Sequence, residues 1–316
     1  MKTNTLILGA GIGGLAAGAE LKSRGNEDFI IIDKCPELPK NLHNGLHYLH
    51  SSDFGTPFPF EFKQIVRTEE IWDTRTNTFK KQATIPEMFE YSKKVMENLR
   101  HPSSIMDPGK NWESWIPESN NMDDLVEAYY HYIGKEHFIF NQTVNYIEVE
   151  RHTVHTEEKA ILYKKLITTL PMKEFYKLTG WTCPYELKNK PLYITNYKTT
   201  NIVPNWLLIL YMSDPKFPPY RITALNEILS MESMKELSYE DEVVIKYLIG
   251  DLFDYDLKTK TNYCWETGRI FGLSKKERYE YISCFEPYKI YPIGRFALWD
   301  GKLLIDSTIK QVKKVI

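Results

Sequence analysis

The chain has 316 residues, 42% hydrophobic and 26% charged. That is enough apolar material for one large or two smaller folded domains, and it excludes an intrinsically disordered chain. Lys and Arg number 40 against 42 Asp and Glu, a net charge of −2 that gives no overall attraction for nucleic acid or an anionic membrane.

Residues 5–8 (Thr-Leu-Ile-Leu) read as a short buried strand that runs directly into Gly9-Ala-Gly11-Ile-Gly13-Gly14. With the strand this near the N-terminus, no leader segment is expected before it. Residues 15–22 are small and helix-compatible and stop near Gly25, a residue suited to a helix C-terminus. Residues 29–32 (Phe-Ile-Ile-Ile) form a second buried strand that ends at Asp33. Strand, glycine turn, helix, strand and acid in this order are what a dinucleotide site requires. Gly9 permits the tight turn, Gly11 lets a pyrophosphate approach the backbone, and Gly14 lets the helix lie close to the sheet. The helix N-terminus, with Gly13 beside it, offers unpaired N–H groups and the positive end of its dipole. Asp33, 19 residues past Gly14, is spaced to accept hydrogen bonds from ribose hydroxyls. Its charge disfavours the 2′-phosphate of NADP, and Lys34 is assigned to the same turn. A glycine turn that binds nothing would explain the strand and helix but not the whole set of glycines with the terminal acid.

Further along, residues 86–100 have helical spacing, and the Pro- and Trp-rich residues 101–117 read as loop. Residues 122–133 form another helix. Residues 141–171 alternate and then turn continuously apolar, which predicts a β-meander followed by a return strand that Pro171 ends. Residues 191–211 are strand-like, and residues 239–252 form a helix opened near Ser238. Near the C-terminus a Gly294-Arg295 turn precedes a last amphipathic helix with Asp306 or Ser307 as its N-cap. A second glycine turn and helix N-terminus are superfluous for NAD, but they suit FAD, whose flavin ring needs support away from its adenosine. The lysines of residues 310–314 form a solvated face.

The candidate reactive side chains are few. His47 and His50 lie three apart in an aromatic setting; they are either ordinary packed histidines or, for His47, a group beside a flavin that hydrogen-bonds near N5 or shuttles a proton. Arg221 either clamps a substrate phosphate or carboxylate or pairs with a nearby acid such as Glu227 or Glu232. Tyr220, Tyr263, Tyr288 and Tyr291 are candidates for a pocket wall. Two histidines without a third ligand do not make a metal site. Cys35, Cys183, Cys264 and Cys284 lie far apart without a CxxC pair, which excludes a disulfide scaffold and a zinc site. With no apolar run near the roughly 20 residues of a membrane span, the expectation is a soluble cytoplasmic protein.

Several motifs together resemble the FAD-dependent amine oxidase and protoporphyrinogen oxidase superfamily, and within it the UDP-galactopyranose mutases. They are Gly9-x-Gly11-x-x-Gly14 with Asp33, Gly45-Leu-His47-Tyr-Leu-His50, residues 166–171 (Leu-Ile-Thr-Thr-Leu-Pro), Tyr220-Arg-Ile-Thr223, and Tyr291-Pro292 with Gly294-Arg295 and Asp306. The usual Arg-Gly-Gly after the second strand is replaced by residues 40–45 (Lys-Asn-Leu-His-Asn-Gly). The resemblance implies an α/β fold: a Rossmann-like FAD-binding domain of the glutathione-reductase type with a small inserted α+β substrate domain. The first would use residues 1–60, 137–180 and 286–316, and the second residues 61–136 and 181–285. It implies FAD held by Gly9, Gly11, Gly13, Gly14, Asp33, Lys34, Gly45, His47, Val144, Thr169, Gly294, Arg295 and Asp306, with His47 and Arg221 beside a small-molecule substrate that bears a phosphate or nucleotide. The implied activity is an oxidoreductase working through flavin N5. A net non-redox isomerisation or transfer on a sugar- or nucleotide-linked carbon is the alternative, and an FAD-binding protein without turnover is a third reading.

Overall fold

The computed structural model describes residues 1–39, 42, 46–51, 55–96, 113–200, 206–250 and 253–316. Two sheets organise them. In the first, β1 (Lys2–Leu8) lies between β2 (Phe29–Ile32) and β9 (Ala160–Thr168), parallel to both, and β6 (Phe138–Ile139) extends the parallel set beyond β2. The first part of β9 pairs with the antiparallel meander of β7 (Val144–Glu148) and β8 (Thr153–Thr156). Its last residues pair in parallel with β15 (Ile290–Pro292). Continuous apolar runs are what strands covered on both faces need, and β1 shows it: Leu6 and Leu8 enter one core and Ile7 the other, each with no exposed surface. Helices α1 (Ile12–Ser23), α3 (Met122–Ile133) and α7 (Ile305–Val315) cover the Ile7 face. Helices α4 (Met172–Thr179) and α6 (Lys275–Phe285) cover the other.

The second sheet runs in the order β14 (Thr261–Ile270), β10 (Asn189–Lys198), β13 (Ile228–Ser233), β12 (Pro219–Leu225), β11 (Trp206–Tyr211), β3 (Phe62–Asp73) and β4 (Thr78–Lys80), with β5 (Ser114–Pro117) on β3. It has eight strands against seven in the first. One face packs on α5 (Tyr239–Ile249), through Ile245 and Ile249. The other receives Tyr91 and Val95 of α2 (Ile85–Met96), together with Leu46 and Tyr48 from the segment that follows β2. That face therefore looks toward the first sheet.

Most expected elements are present, with local differences. The stretch expected as loop contains β5: Ile116 is buried, and the strand pairs antiparallel with β3 from Phe62↔Pro117 to Ile65↔Ser114. Proline and tryptophan content masked a strand that only its partner stabilises. Helix α3 packs against α1 on the first sheet, although the sequence groups residues 122–133 with the second part, and α6 likewise joins a first-sheet core. The last helix begins two or three residues earlier than expected. Leu304 is its extended N-cap, and Asp306 sits inside the first turn, where its charge faces the positive dipole end instead of capping. Helix α5 does open at Ser238, whose side chain accepts from Asp241 N–H in a reciprocal capping box.

Candidate active site

The glycine turn between β1 and α1 is built as its residue types demand. Gly9 takes φ +100, and a Cβ there would overlap Thr169 Oγ1. A Cβ on Gly14 would overlap the Gly9 carbonyl oxygen, so α1 can cross this close to the strand only with glycine. Gly11 differs: it is the N-cap of α1, and a Cβ on it would meet nothing within 4 Å. Among the described residues no side chain caps the helix. Gly13 sits in the first turn against Thr169, Ile293 and Thr308. Asp33 ends β2 beside this turn. Its Oδ2 accepts from Ala10 N–H at 2.7 Å and its Oδ1 from Cys35 N–H at 2.8 Å, which fixes the carboxylate at the rim. Thr169 closes the turn from β9, its N–H and Oγ1 both donating to Leu8 O. Lys34 is exposed one residue beyond, and Val144 is half-buried at the start of β7. Gly45 lies outside the described residues.

The second turn meets the first across β9. Gly294 has φ +93 and its N–H donates to Gln311 Oε1 at 3.2 Å; α7 follows. Asp306, 8% exposed in the first turn of α7, keeps Oδ1 buried without a hydrogen-bond partner among the described residues. Arg295 donates to Gly301 O at 2.5 Å, and its Nε is buried without a partner among the described residues. Burial first, and then repulsion from Arg269, hold its guanidinium at about 10.

Opposite these turns the inner face of the second sheet carries charge. Neighbouring strands β12 and β13 set Arg221 opposite Glu232, and the two form an ion pair. Tyr220 donates to the same carboxylate, and Arg269 of β14 reaches both Glu232, at 3.2 Å, and the Tyr220 hydroxyl. Burial alone would raise Glu232; Arg221 and then Arg269 outweigh it and hold the carboxyl at about 2. His47 comes from the segment after β2 and stacks beside Trp265 of β14, ring centroids 6.0 Å apart. Its Nε2 is buried without a partner among the described residues. Burial, aided by Arg221 and Arg295 against the opposing pull of Glu232, lowers its pKa to about 4, so the imidazole is neutral at neutral pH. Three guanidinium charges (Arg221, Arg269, Arg295) thus face one carboxylate, leaving an excess of two. Further along the same face Arg67 pairs with Glu69, approaches His50 Nδ1 at 3.3 Å and lies over the Tyr48 ring.

His47, Arg221 and Arg295 are therefore brought together. Tyr220 joins them, whereas Tyr288 packs on Trp181 and Tyr291 lies under Lys165, so neither walls this site. Arg221 has the Glu232 partner that the sequence left open as an alternative. Sequence reasoning missed Arg269 and Trp265. Both stand in a strand of unremarkable composition, and only the pairing of β14 with β10 brings them to the site.

No protein-family model matches the sequence, and no curated protein matches it. Solved structures do. Reduced UDP-galactopyranose mutase superposes with a TM-score of 0.72 at 13% identity, over 100% of this chain and 93% of that one. The chain shares the fold of that enzyme. A CLA-producing fatty acid isomerase from P. acnes gives 0.65 at 11% identity over 99% and 97% of the two chains. An engineered putrescine oxidase gives 0.60 at 11% over 100% and 99%. Within this fold both glycine turns, with Arg295, belong to the first sheet, and Arg221 and Arg269 belong to the second. Among the described residues no helix is long and apolar enough to cross a membrane, and no cluster of His, Cys, Asp and Glu suits a metal ion.

Proposed function

We propose that the chain binds FAD between its two sheets and works as a flavin-dependent oxidoreductase on a small anionic substrate. The observation that carries this reading is the convergence of two glycine turns and two uncapped helix N-termini on one side of the gap, with a surplus of buried arginines on the other. The residues present suit the cofactor. Gly11 leaves room at the N-terminus of α1 for a pyrophosphate, and Asp33 stands where a ribose would lie. Asp306 Oδ1 and the N-terminus of α7 offer an acceptor and donors for the distant half of the molecule. When bound, FAD supplies hydride or electron transfer at its N5.

The chain's own residues supply binding, charge and protons. Arg221 and Arg269, fixed by Glu232, hold the substrate's carboxylate or phosphate, because two guanidiniums that share one carboxylate in a low-dielectric site favour a further anion. His47 is uncharged, so Nε2 can accept a proton from the reacting group and return it. The rings of Trp265 and Tyr220 restrict water on the substrate side. An isomerisation without net redox change is the second reading, favoured by the arginine surplus, which suits a phosphate-bearing substrate.

An absorption spectrum of the purified protein from 300 to 550 nm, with the mass of the heat-released chromophore, tests the cofactor. Two flavin bands and an FAD mass are the expected result. A colourless protein that also takes up no added FAD overturns the reading. Anaerobic addition of candidate anions then separates the chemistries: bleaching of the flavin marks a redox substrate, and turnover by dithionite-reduced protein alone marks the isomerase.

A further inference from the structure

A cleft of about 370 Å³ opens on the far side of the second sheet, beside α5 and away from the candidate active site. Its floor is two short segments, residues 198–200 at the end of β10 and residues 254–256 after α5. Backbone bonds fix them together: Thr199 bridges to Tyr255, Thr200 N–H donates to Asp254 O at 3.2 Å, and Asp256 N–H to Lys198 O at 3.3 Å. Lys198, Lys246, Asp254 and Asp256 all line the cleft. Lys246 is engaged, its Nζ donating to Tyr255 O at 2.7 Å. Lys198 and the two acids have no ion-pair partner among the described residues, although both signs share one small space. Asp254 accepts with Oδ2 from Thr200 Oγ1 at 3.3 Å, and Asp256 with Oδ1 from Lys258 N–H at 2.9 Å. Each carboxylate thus keeps a second oxygen that no described residue engages. Thr199 lines the cleft too; it is 3% exposed, and its hydroxyl is buried without a partner among the described residues.

We propose that this cleft binds a free amino acid, its ammonium group between Asp254 and Asp256 and its carboxylate on Lys198 and the Thr199 hydroxyl. A zwitterion meets unengaged groups of both signs with charge-assisted hydrogen bonds, and these are the strong ones. An ion of one sign fits less well, because phosphate on Lys198 would also face two carboxylates. A sugar would need an open ring face to lie against. Tyr255 supplies the aromatic ring of the lining, but it is buried, packed on Tyr197 with centroids 4.9 Å apart and covered by Lys246. The volume lies near the lower end for small-molecule sites and suits an amino acid better than a nucleotide. The buried Thr199 hydroxyl destabilises the fold until a ligand supplies an acceptor for it. Amino acid binding here needs no flavin, because the second sheet separates the cleft from the arginine cluster.

Ligand-detected NMR on the full chain, with each of the twenty amino acids in turn at about 2 mM, tests the site at millimolar affinity. Glucose and inorganic phosphate are the comparisons. At least one amino acid should bind, and its N,N,N-trimethyl form, which has no ammonium hydrogen to donate, should bind at least tenfold more weakly. Asp254→Asn combined with Asp256→Asn should weaken the amino acid at least tenfold. Both side chains are exposed, and asparagine can still accept from Lys258 N–H, so the fold is kept. Thr199→Val, a change of equal shape, should weaken binding about threefold while the melting temperature of the unliganded chain stays level or rises. A hydroxyl with a merely structural role would instead lower that temperature and leave affinity alone. Failure of every amino acid to bind, binding that the double substitution does not weaken, or binding of glucose or phosphate in their place would each overturn the proposal.

Discussion

His47 and Glu232 show how one site sets the charge of its members in opposite directions. Burial keeps His47 neutral down to about pH 4, whereas its ordinary pKa is 6.5. Below pH 6.5 the unfolded chain therefore takes up a proton that the folded chain refuses, and stability falls as the pH drops. Between pH 7.5 and 5.0 this one group removes about 2 kcal/mol. Urea midpoints at the two pH values should show that loss in the native chain, reduced by the same amount in His47→Gln; an unchanged slope in the variant would mean that the imidazole is solvated. Glu232 matters for the opposite reason, because it is the counter-ion of two guanidiniums. Glu232→Gln leaves three buried positive charges facing none. It should cost about 3 kcal/mol or more in a urea titration at pH 7.5, and a loss below 1 kcal/mol would show that water reaches the arginines.

The glycine turn separates folding from binding, because two of its glycines are present for different reasons. Gly14 is required by the crossing of α1 over the Gly9 carbonyl, so Gly14→Ala should lower the melting temperature and the flavin content together. Gly11 has open space where its Cβ would stand, so Gly11→Ala should melt like the native apoprotein yet bind FAD at least tenfold more weakly. Equal melting with equal FAD affinity would remove the pyrophosphate from this turn. A different dependence holds Lys94 of α2, whose Nζ is ringed by the carbonyls of Asp214, Phe217 and Pro219, with that of Met212 farther off at 3.2 Å, and so ties α2 to the β11–β12 connection. Lys94→Met leaves those carbonyls without their donor and should cost about 2–4 kcal/mol; a value near zero in urea would mean that water replaces the ammonium. These cases also mark what sequence alone carried. The glycines, Asp33 and the caps at Gly25 and Ser238 are local, because their chemistry depends on neighbours a few residues away. Lys94, Arg269 and the strand β5 depend on partners tens of residues distant, and no local pattern announces them.

A polar seam lies between the two sheets. Among its atoms His47 Nε2, Arg67 Nε, Arg221 Nε, Arg295 Nε and Asp306 Oδ1 are buried without a hydrogen-bond partner among the described residues. Such atoms destabilise a fold by the desolvation they are not compensated for. The overall architecture could be anticipated, because apolar runs and turns come in a characteristic order. The seam could be only in part: motifs point to His47, Arg221, Arg295 and Asp306, whereas Arg67 and Arg269 reach it from β3 and β14 without a local signal. A molecule built in this way gains stability from whatever fills the seam. Ligand linkage gives about 2.7 kcal/mol at a hundredfold excess over the dissociation constant. For a chain of this size that amounts to roughly 5 °C in melting temperature. FAD should produce that upward shift in the native apoprotein and none in Gly11→Ala. Pyrophosphate alone should shift the native protein by less, since it reaches only one end of the seam, and adenosine, which lacks the phosphates, by less still. A shift of equal size from FAD and from pyrophosphate would show that the flavin end makes no stabilising contact, and the assignment of Gly294, Arg295 and Asp306 to the cofactor would then have to be abandoned.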